Sequence, residues 1–149
     1  MDALDRKILK VLQQDARASL QQIGQAVGLS TSPCWERIRK LEQAGVIEGY
    51  TLRLNAQALG LNDTVLVQVT LDSHSDNTLE KFGETLAAIP EVIEAYLVSG
   101  EYDYLLRVAV KDTRDYERLL RERLYKIKGI RQSKSSFVLR TLKKADLPI

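Results

Sequence analysis

The chain of 149 residues has one cysteine, one histidine, one tryptophan and three prolines, and its two phenylalanines and six tyrosines leave it poor in aromatic surface. Each shortage removes a class of function. Cys34 alone cannot close an internal disulfide, and Cys34 with His74 cannot supply the four ligands of a cysteine/histidine zinc site. A histidine-dependent nucleophilic triad would have to use His74, which stands in the polar run Asp72-Ser73-His74-Ser75-Asp76-Asn77 and reads as a solvated side chain. No catalytic, metal-binding or cofactor-binding set emerges. No apolar run approaches the roughly 18 residues that span a bilayer. The start Met1-Asp2-Ala3-Leu4-Asp5-Arg6 has neither the basic segment nor the apolar stretch of a secretory signal, so cytoplasmic residence is expected. An excess of one charge is also missing: 22 basic and 20 acidic residues give +2, and residues 1–50 hold seven basic and six acidic. Strong nucleic-acid binders are often far more basic, so charge alone suggests no such partner.

Pattern says more than composition. Leu4, Ile8, Val11 and Leu12 share one face of an amphipathic helix predicted over 5–14. Ser19 and Gln22 form a capping box for a second helix carrying Leu20, Ile23, Ala26 and Val27, and Gly28 suits its left-handed end. Ser30, Thr31 and Ser32 are candidate caps for a third helix, in whose first turn Pro33 is tolerated. Cys34, Ile38 and Leu41 are its inward stripe, with Trp35 on the same side, and Ala44-Gly45 closes it. Two short helices joined by about three residues with glycine in the turn have the outline of a helix-turn-helix, which a plain helical hairpin shares. Residues 46–54 alternate in polarity and read as a strand or wing; 55–63 read as a linker.

The second half predicts strands over 65–71, 92–98, 104–110 and 136–142 and helices over 78–89 and 114–126. The order βαββαβ is the ferredoxin-like arrangement of an α+β domain, with both helices on one face of an antiparallel sheet. In the third strand Tyr104, Leu106, Val108 and Val110 share one face, and Leu105, Arg107 and Ala109 the other. In the first, Leu66, Gln68 and Thr70 lie opposite the valines. Neither face is strongly polar, so a second subunit is expected to cover the face without helices, making a dimer.

Three stretches spread along the chain carry a family likeness: Leu4-Asp5-Arg6-Lys7-Ile8-Leu9 with Leu12-Gln13-Gln14-Asp15-Ala16-Arg17; residues 27–42, ending in Gly45-Val46-Ile47; and residues 98–106, with Ser135-Ser136-Phe137-Val138-Leu139. In these the chain resembles the Lrp/AsnC, or feast/famine, family of transcriptional regulators of bacteria and archaea. The resemblance implies a winged helix-turn-helix over 1–54, a linker over 55–63 and a ferredoxin-like effector-sensing and oligomerisation domain over 64–149. It implies dimers formed by sheet pairing, assembled further into tetramers or octamers around which DNA can bend. It also implies control of amino acid metabolism genes through a small effector, an amino acid. Trp35 stands where leucine is more usual in the family.

In a helix-turn-helix the second helix enters the major groove and its N-terminal residues reach the base edges. The expected DNA contacts are then Thr31, Ser32, Pro33, Glu36, Arg37, Arg39 and Lys40. Arg37 suits a paired hydrogen bond to guanine and Glu36 an acceptor for a cytosine amine; Thr31 and Ser32 suit phosphate contacts, and Arg39 and Lys40 the backbone. For the effector, the turn Ser99-Gly100-Glu101-Tyr102-Asp103 offers amides for a carboxylate and Asp103 for an ammonium, although as bare residues it is an ordinary hairpin. The resemblance gives the effector role to Gly100, Glu101, Tyr102 and Asp103, with Ser136 and Val138 of the last strand. Cys34 reads as a small buried hydrophobe before it reads as a thiol sensor. Two rival readings are an architectural protein that bends DNA without sensing anything, and a small ferredoxin-like enzyme using Glu101 and Asp103 as acid and base. The enzyme lacks a nucleophile, a metal set and a cofactor loop.

Overall fold

The computed structural model describes residues 1–73 and 76–149, so His74 lies outside the described residues. The chain forms two compact units, one of Met1–Arg53 with Lys143–Ile149 and one of Leu54–Leu142. The last seven residues, which the sequence had attached to the second domain, group with the first; there Gln13 Nε2 donates to the Leu147 carbonyl at 3.0 Å.

The first unit is three helices, α1 (Ala3–Gln14), α2 (Leu20–Val27) and α3 (Thr31–Gln43). Ile8, Ile23, Val27, Cys34 and Ile38 form its small core, as the helical periodicity predicts. The capping box of α2 is present: the Gln22 amide donates to Ser19 Oγ at 3.2 Å, and the Ser19 amide to Gln22 Oε1 at 2.7 Å. The turn that follows is tight. The Leu29 amide donates to the Gly24 carbonyl at 2.9 Å, and a Cβ on Gly24 would stand 2.4 Å from the Leu29 carbonyl oxygen. Only glycine allows α2 and the turn to approach so closely.

Two local expectations are corrected in this unit. Trp35 does not join the inward stripe: it is 49% exposed, because about 100° per residue carries it to the flank of a helix whose core direction is set by Cys34, Ile38 and Leu41. Residues 46–54 form no strand or wing strand. The Val46 and Ile47 amides both donate to the Leu41 carbonyl, and beyond them Tyr50, Leu52 and Leu54 lie exposed. Alternating polarity yields a strand only where another strand presents its amides, and none does so here among the described residues.

The second unit contains β1 (Asp63–Leu71), α4 (Asp76–Ala87), β2 (Val92–Leu97), β3 (Tyr104–Val110), α5 (Thr113–Glu122) and β4 (Ile130–Phe137). The strands form one antiparallel sheet in the order β2-β3-β1-β4, the predicted βαββαβ arrangement. Val65, Val67 and Val69 of β1 with Leu106 and Val108 of β3 bury one face against Phe82 and Leu86 of α4 and Tyr116 and Leu119 of α5. The 55–63 segment holds a single 3-10 turn, Gln57–Leu59. Helix α5 stops at Glu122, and a separate 3-10 turn, Leu124–Lys126, completes the stretch expected to be one helix.

The fourth strand is the largest correction: it spans Ile130–Phe137, whereas the expectation was 136–142. Its sequence, Ile130-Arg131-Gln132-Ser133-Lys134-Ser135-Ser136-Phe137, has no apolar alternation, because it is an edge strand with mostly exposed side chains. It is held by the ladder to β1, a long-range pairing that leaves little local signature.

Period-two geometry then defines the open face. Leu66 pairs across with Arg107 and Ser136, Gln68 with Leu105 and Lys134, and Thr70 with Gln132. Glu94 and Tyr96 of β2 pair with Arg107 and Leu105, and the Arg107 guanidinium donates to Glu94. This surface mixes aliphatic groups, aromatic edges and charges of both signs.

Candidate nucleic-acid interface and ligand hollow

Of the seven side chains expected at DNA, Thr31, Ser32, Glu36, Arg39 and Lys40 are exposed along α3 and Pro33 is half-buried. The Ser30 side chain makes no capping bond, so it does not compete for the first-turn amides that suit an anion. Arg37 has a different place. Its Nη1 donates to Asp2 Oδ2 and to Asp5 Oδ1, both at 2.7 Å.

Those two carboxylates are also the capping box of α1: the Asp5 amide donates to Asp2 Oδ1 at 2.9 Å and the Asp2 amide to Asp5 Oδ2 at 2.8 Å. Each acid thus gives one oxygen to the helix cap and the other to Arg37. Four oxygens and one guanidinium fasten the start of α1 to the middle of α3. The Asp5 amide, followed by Arg37, holds the Asp2 carboxyl down at about 2, and the same pairing raises Arg37. The clamp ties α3 to α1, a contact that the sequence does not announce for Arg37. Asp2-x-x-Asp5 ahead of an apolar stripe was the legible half of it; a partner at residue 37 was not.

Cys34, on the inward side of α3, has no exposed surface, and burial pushes its thiol pKa up. A thiol needs the reverse, a lowered pKa and access, to act as a sensor. It packs the helix.

On the second unit a hollow of about 170 Å³ opens on the sheet face without helices, lined by Gln68, Thr70, Glu101, Tyr102, Gln132 and Lys134. Two of the expected effector residues, Glu101 and Tyr102, line it. Gly100 shapes the turn beside them, with φ at +134°, a region that favours glycine. Asp103 is tied into the scaffold: its Oδ2 accepts from the Leu71 amide at 2.7 Å and its own amide donates to the Val69 carbonyl at 2.9 Å. It closes the end of β1 and so fixes where Glu101 and Tyr102 stand. Ser136 shares the open face two residues beyond Lys134, opposite Leu66, and the Val138 amide donates to the Thr64 carbonyl at 2.9 Å, past the end of β4; neither lines the hollow.

The other four lining residues are Gln68, Thr70, Gln132 and Lys134. Gln68 and Thr70 were visible as the polar side of β1. Gln132 and Lys134 had no signal, because β4 itself had none. The hollow therefore offers a cation, an anion, a phenol and neutral hydrogen-bonding groups, which suits a small molecule bearing both charges. No group of three or more His, Cys, Asp or Glu that could hold a metal ion occurs among the described residues.

A capped helical unit whose third helix presents polar side chains, joined to a ferredoxin-like unit with a polar hollow, defines a helix-turn-helix regulator with a ligand-binding domain. Comparison with known proteins makes this specific. Residues 1–42 match the AsnC-type helix-turn-helix domain, and residues 64–148 match the Lrp/AsnC ligand binding domain. The chain is 38% identical to the leucine-responsive regulatory proteins of Klebsiella pneumoniae and Escherichia coli strain K12 over 146 residues, 98% of this chain and 89% of theirs. Among solved structures it is similar to an AsnC family transcriptional regulator from Agrobacterium tumefaciens, with a TM-score of 0.94, 41% identity and coverage of 99% of this chain and 97% of that one. A transcriptional regulator of Neisseria meningitidis in complex with L-Met gives 0.93, 32% identity and coverage of 99% and 96%. The chain belongs to the Lrp/AsnC family and is a DNA-binding transcriptional regulator.

Proposed function

We propose that this regulator senses a free amino acid in the hollow beside the Gly100 turn and that binding there alters its assembly or its grip on DNA. The observation that carries the reading is the lining itself. Lys134 is suited to an α-carboxylate and Glu101 to an α-ammonium, while Gln68, Thr70, Gln132 and the Tyr102 ring are left for a side chain. The Neisseria meningitidis relative, solved with L-Met, supports this ligand class.

At the DNA, α3 enters the major groove with Ser32 and Glu36 towards the bases and Thr31, Arg39 and Lys40 towards the backbone, while Arg37 holds the helix at its angle. Beyond the hollow, the open sheet face, with Leu66 36% and Tyr96 50% exposed, is covered by a second subunit. Dimers associate further into tetramers or octamers, so that a ligand that prefers one assembly shifts the spacing of the DNA-reading helices. Both ends of this pathway are binding events, and the protein works in the cytoplasm without catalysing a reaction.

The test is isothermal calorimetry of the full chain with each common amino acid, paired with sedimentation velocity. One or a few amino acids should bind and change the sedimentation coefficient, and Lys134→Met should weaken binding at least tenfold. Absence of heat and of any change in assembly across the whole panel would remove amino acid sensing.

A further inference from the structure

Trp35 is the only tryptophan in the chain, and α3 leaves it about half exposed. A lone hydrophobe on a surface needs no explanation, but this one has a particular place and a particular neighbour. It is the fifth residue of α3, in the half of a reading helix that meets the base edges. With Cys34, Ile38 and Leu41 inward, the helical repeat points Ser32, Glu36, Arg39 and Gln43 outward. Trp35 falls on the flank between core and outer face, opposite the flank where Arg37 binds α1. One turn further on, the Arg39 guanidinium lies 5.4 Å from the Trp35 ring centroid, within the range of a cation–π contact. A flexible arginine is thereby ordered over a rigid ring before any partner arrives. Among the described residues no carboxylate competes for it: the Arg37, Arg118 and Arg121 guanidiniums each have an acidic partner within 4 Å, whereas Arg39 has the indole.

We propose that Trp35 and Arg39 form a preassembled reading pair, in which the indole edge packs on the 5-methyl group of a thymine and Arg39 grips the neighbouring phosphate. The inference rests on α3 being the helix that enters the groove. Among the base edges of the major groove, the thymine methyl is the apolar feature that an aromatic edge can select. The guanidinium, a turn nearer the helix C-terminus, is placed for the backbone, where charge and a planar donor array count.

The experiment uses the full chain and a duplex enriched from a random-sequence pool by the wild-type protein. Each thymine of that duplex is replaced in turn by uracil, which differs only in lacking the methyl group, and Kd is measured by anisotropy at fixed salt. For the wild type, one such replacement should weaken binding about fourfold, the value of one buried methyl-sized group. For Trp35→Ala the same two duplexes should bind equally. Arg39→Met should lower the slope of log K against log salt by about one while keeping the thymine preference. Trp35 emission should change on binding to the enriched duplex. Equal wild-type affinity for every uracil duplex, or an undiminished preference in Trp35→Ala, overturns the pair. If emission stays unchanged while the duplex binds, the placement of α3 in the groove falls with it; if emission responds without methyl discrimination, only the reading pair falls. Since Trp35 is exposed, an unaltered far-ultraviolet circular dichroism spectrum for Trp35→Ala is the expected control.

Discussion

The two units hold themselves together by different means. The sheet unit buries a continuous layer of valine and leucine from β1 and β3 beneath two helices, with polar contacts such as Asp103 to the Leu71 amide added at its rim. The helical unit has a much smaller core and adds directed polar contacts: a capping box at each of its first two helices, and the Arg37 clamp that ties α3 to the start of α1. The difference suits what each presents. A packed sheet gives a rigid floor for a hollow, whereas α3 needs a defined angle, which hydrogen bonds of fixed direction provide. Mutations should separate the two strategies.

The largest effect is expected in the sheet unit. Leu106 has no exposed surface, and Leu106→Ala should cost about 2–5 kcal/mol, read as lost hydrogen-exchange protection along β1 and β3. Trp35 emission, a reporter placed in the helical unit, should keep its denaturation midpoint; an equal shift there would break the comparison. Next is Gly24→Ala, where the added Cβ meets the Leu29 carbonyl oxygen at 2.4 Å. The strain should cost about 1–3 kcal/mol and move the Trp35 midpoint instead.

Ser19→Ala, which removes one capping acceptor, should cost about 1 kcal/mol in the same assay. The clamp offers the sharpest contrast for a modest effect. Arg37→Met and the double change Asp2→Asn with Asp5→Asn should weaken DNA binding similarly and leave base preference in a selection experiment unaltered, because both release the same joint. A change of base preference in Arg37→Met alone would return Arg37 to the role of guanine reader.

Acid gives the smallest signal. The Asp2 carboxyl is held at about 2, below its ordinary 3.8, so the unfolded chain takes up that proton first as pH falls. The contribution of the clamp is therefore complete above about pH 4 and lost as pH drops through about 2. Asp2→Asn should flatten this part of the acid unfolding curve, monitored by circular dichroism at 222 nm.

Much of the fold was legible because it is written in short-range signals. The capping box Ser19-x-x-Gln22, the left-handed Gly28 and the spacing of Cys34, Ile38 and Leu41 each act within a few residues. The alternation in β1 and β3 sorted their residues into two faces, and the structure buries the one that carries Val65, Val67, Val69, Leu106 and Val108. What escaped reading depends on distance along the chain. β4 is a polar edge strand defined by its ladder to β1. Gln132 and Lys134 reach the hollow through that ladder, which brings them beside Gln68 and Thr70. Arg37 finds its partners 32 and 35 positions away, and Asp103 gives a carboxylate oxygen to the amide of Leu71 on another strand. Charged residues are the hardest to assign from sequence, since an arginine on a reading helix fits a guanine and a carboxylate pair equally well.

A regulator of this kind couples the hollow on one unit to DNA affinity on the other. Fluorescence anisotropy of the full chain on its enriched duplex, at one stated salt concentration and with and without each common amino acid, measures that coupling. Binding should be specific, with a Kd that shifts at least fivefold with one or a few amino acids, a shift that Lys134→Met abolishes. Specific binding that no amino acid alters would contradict it.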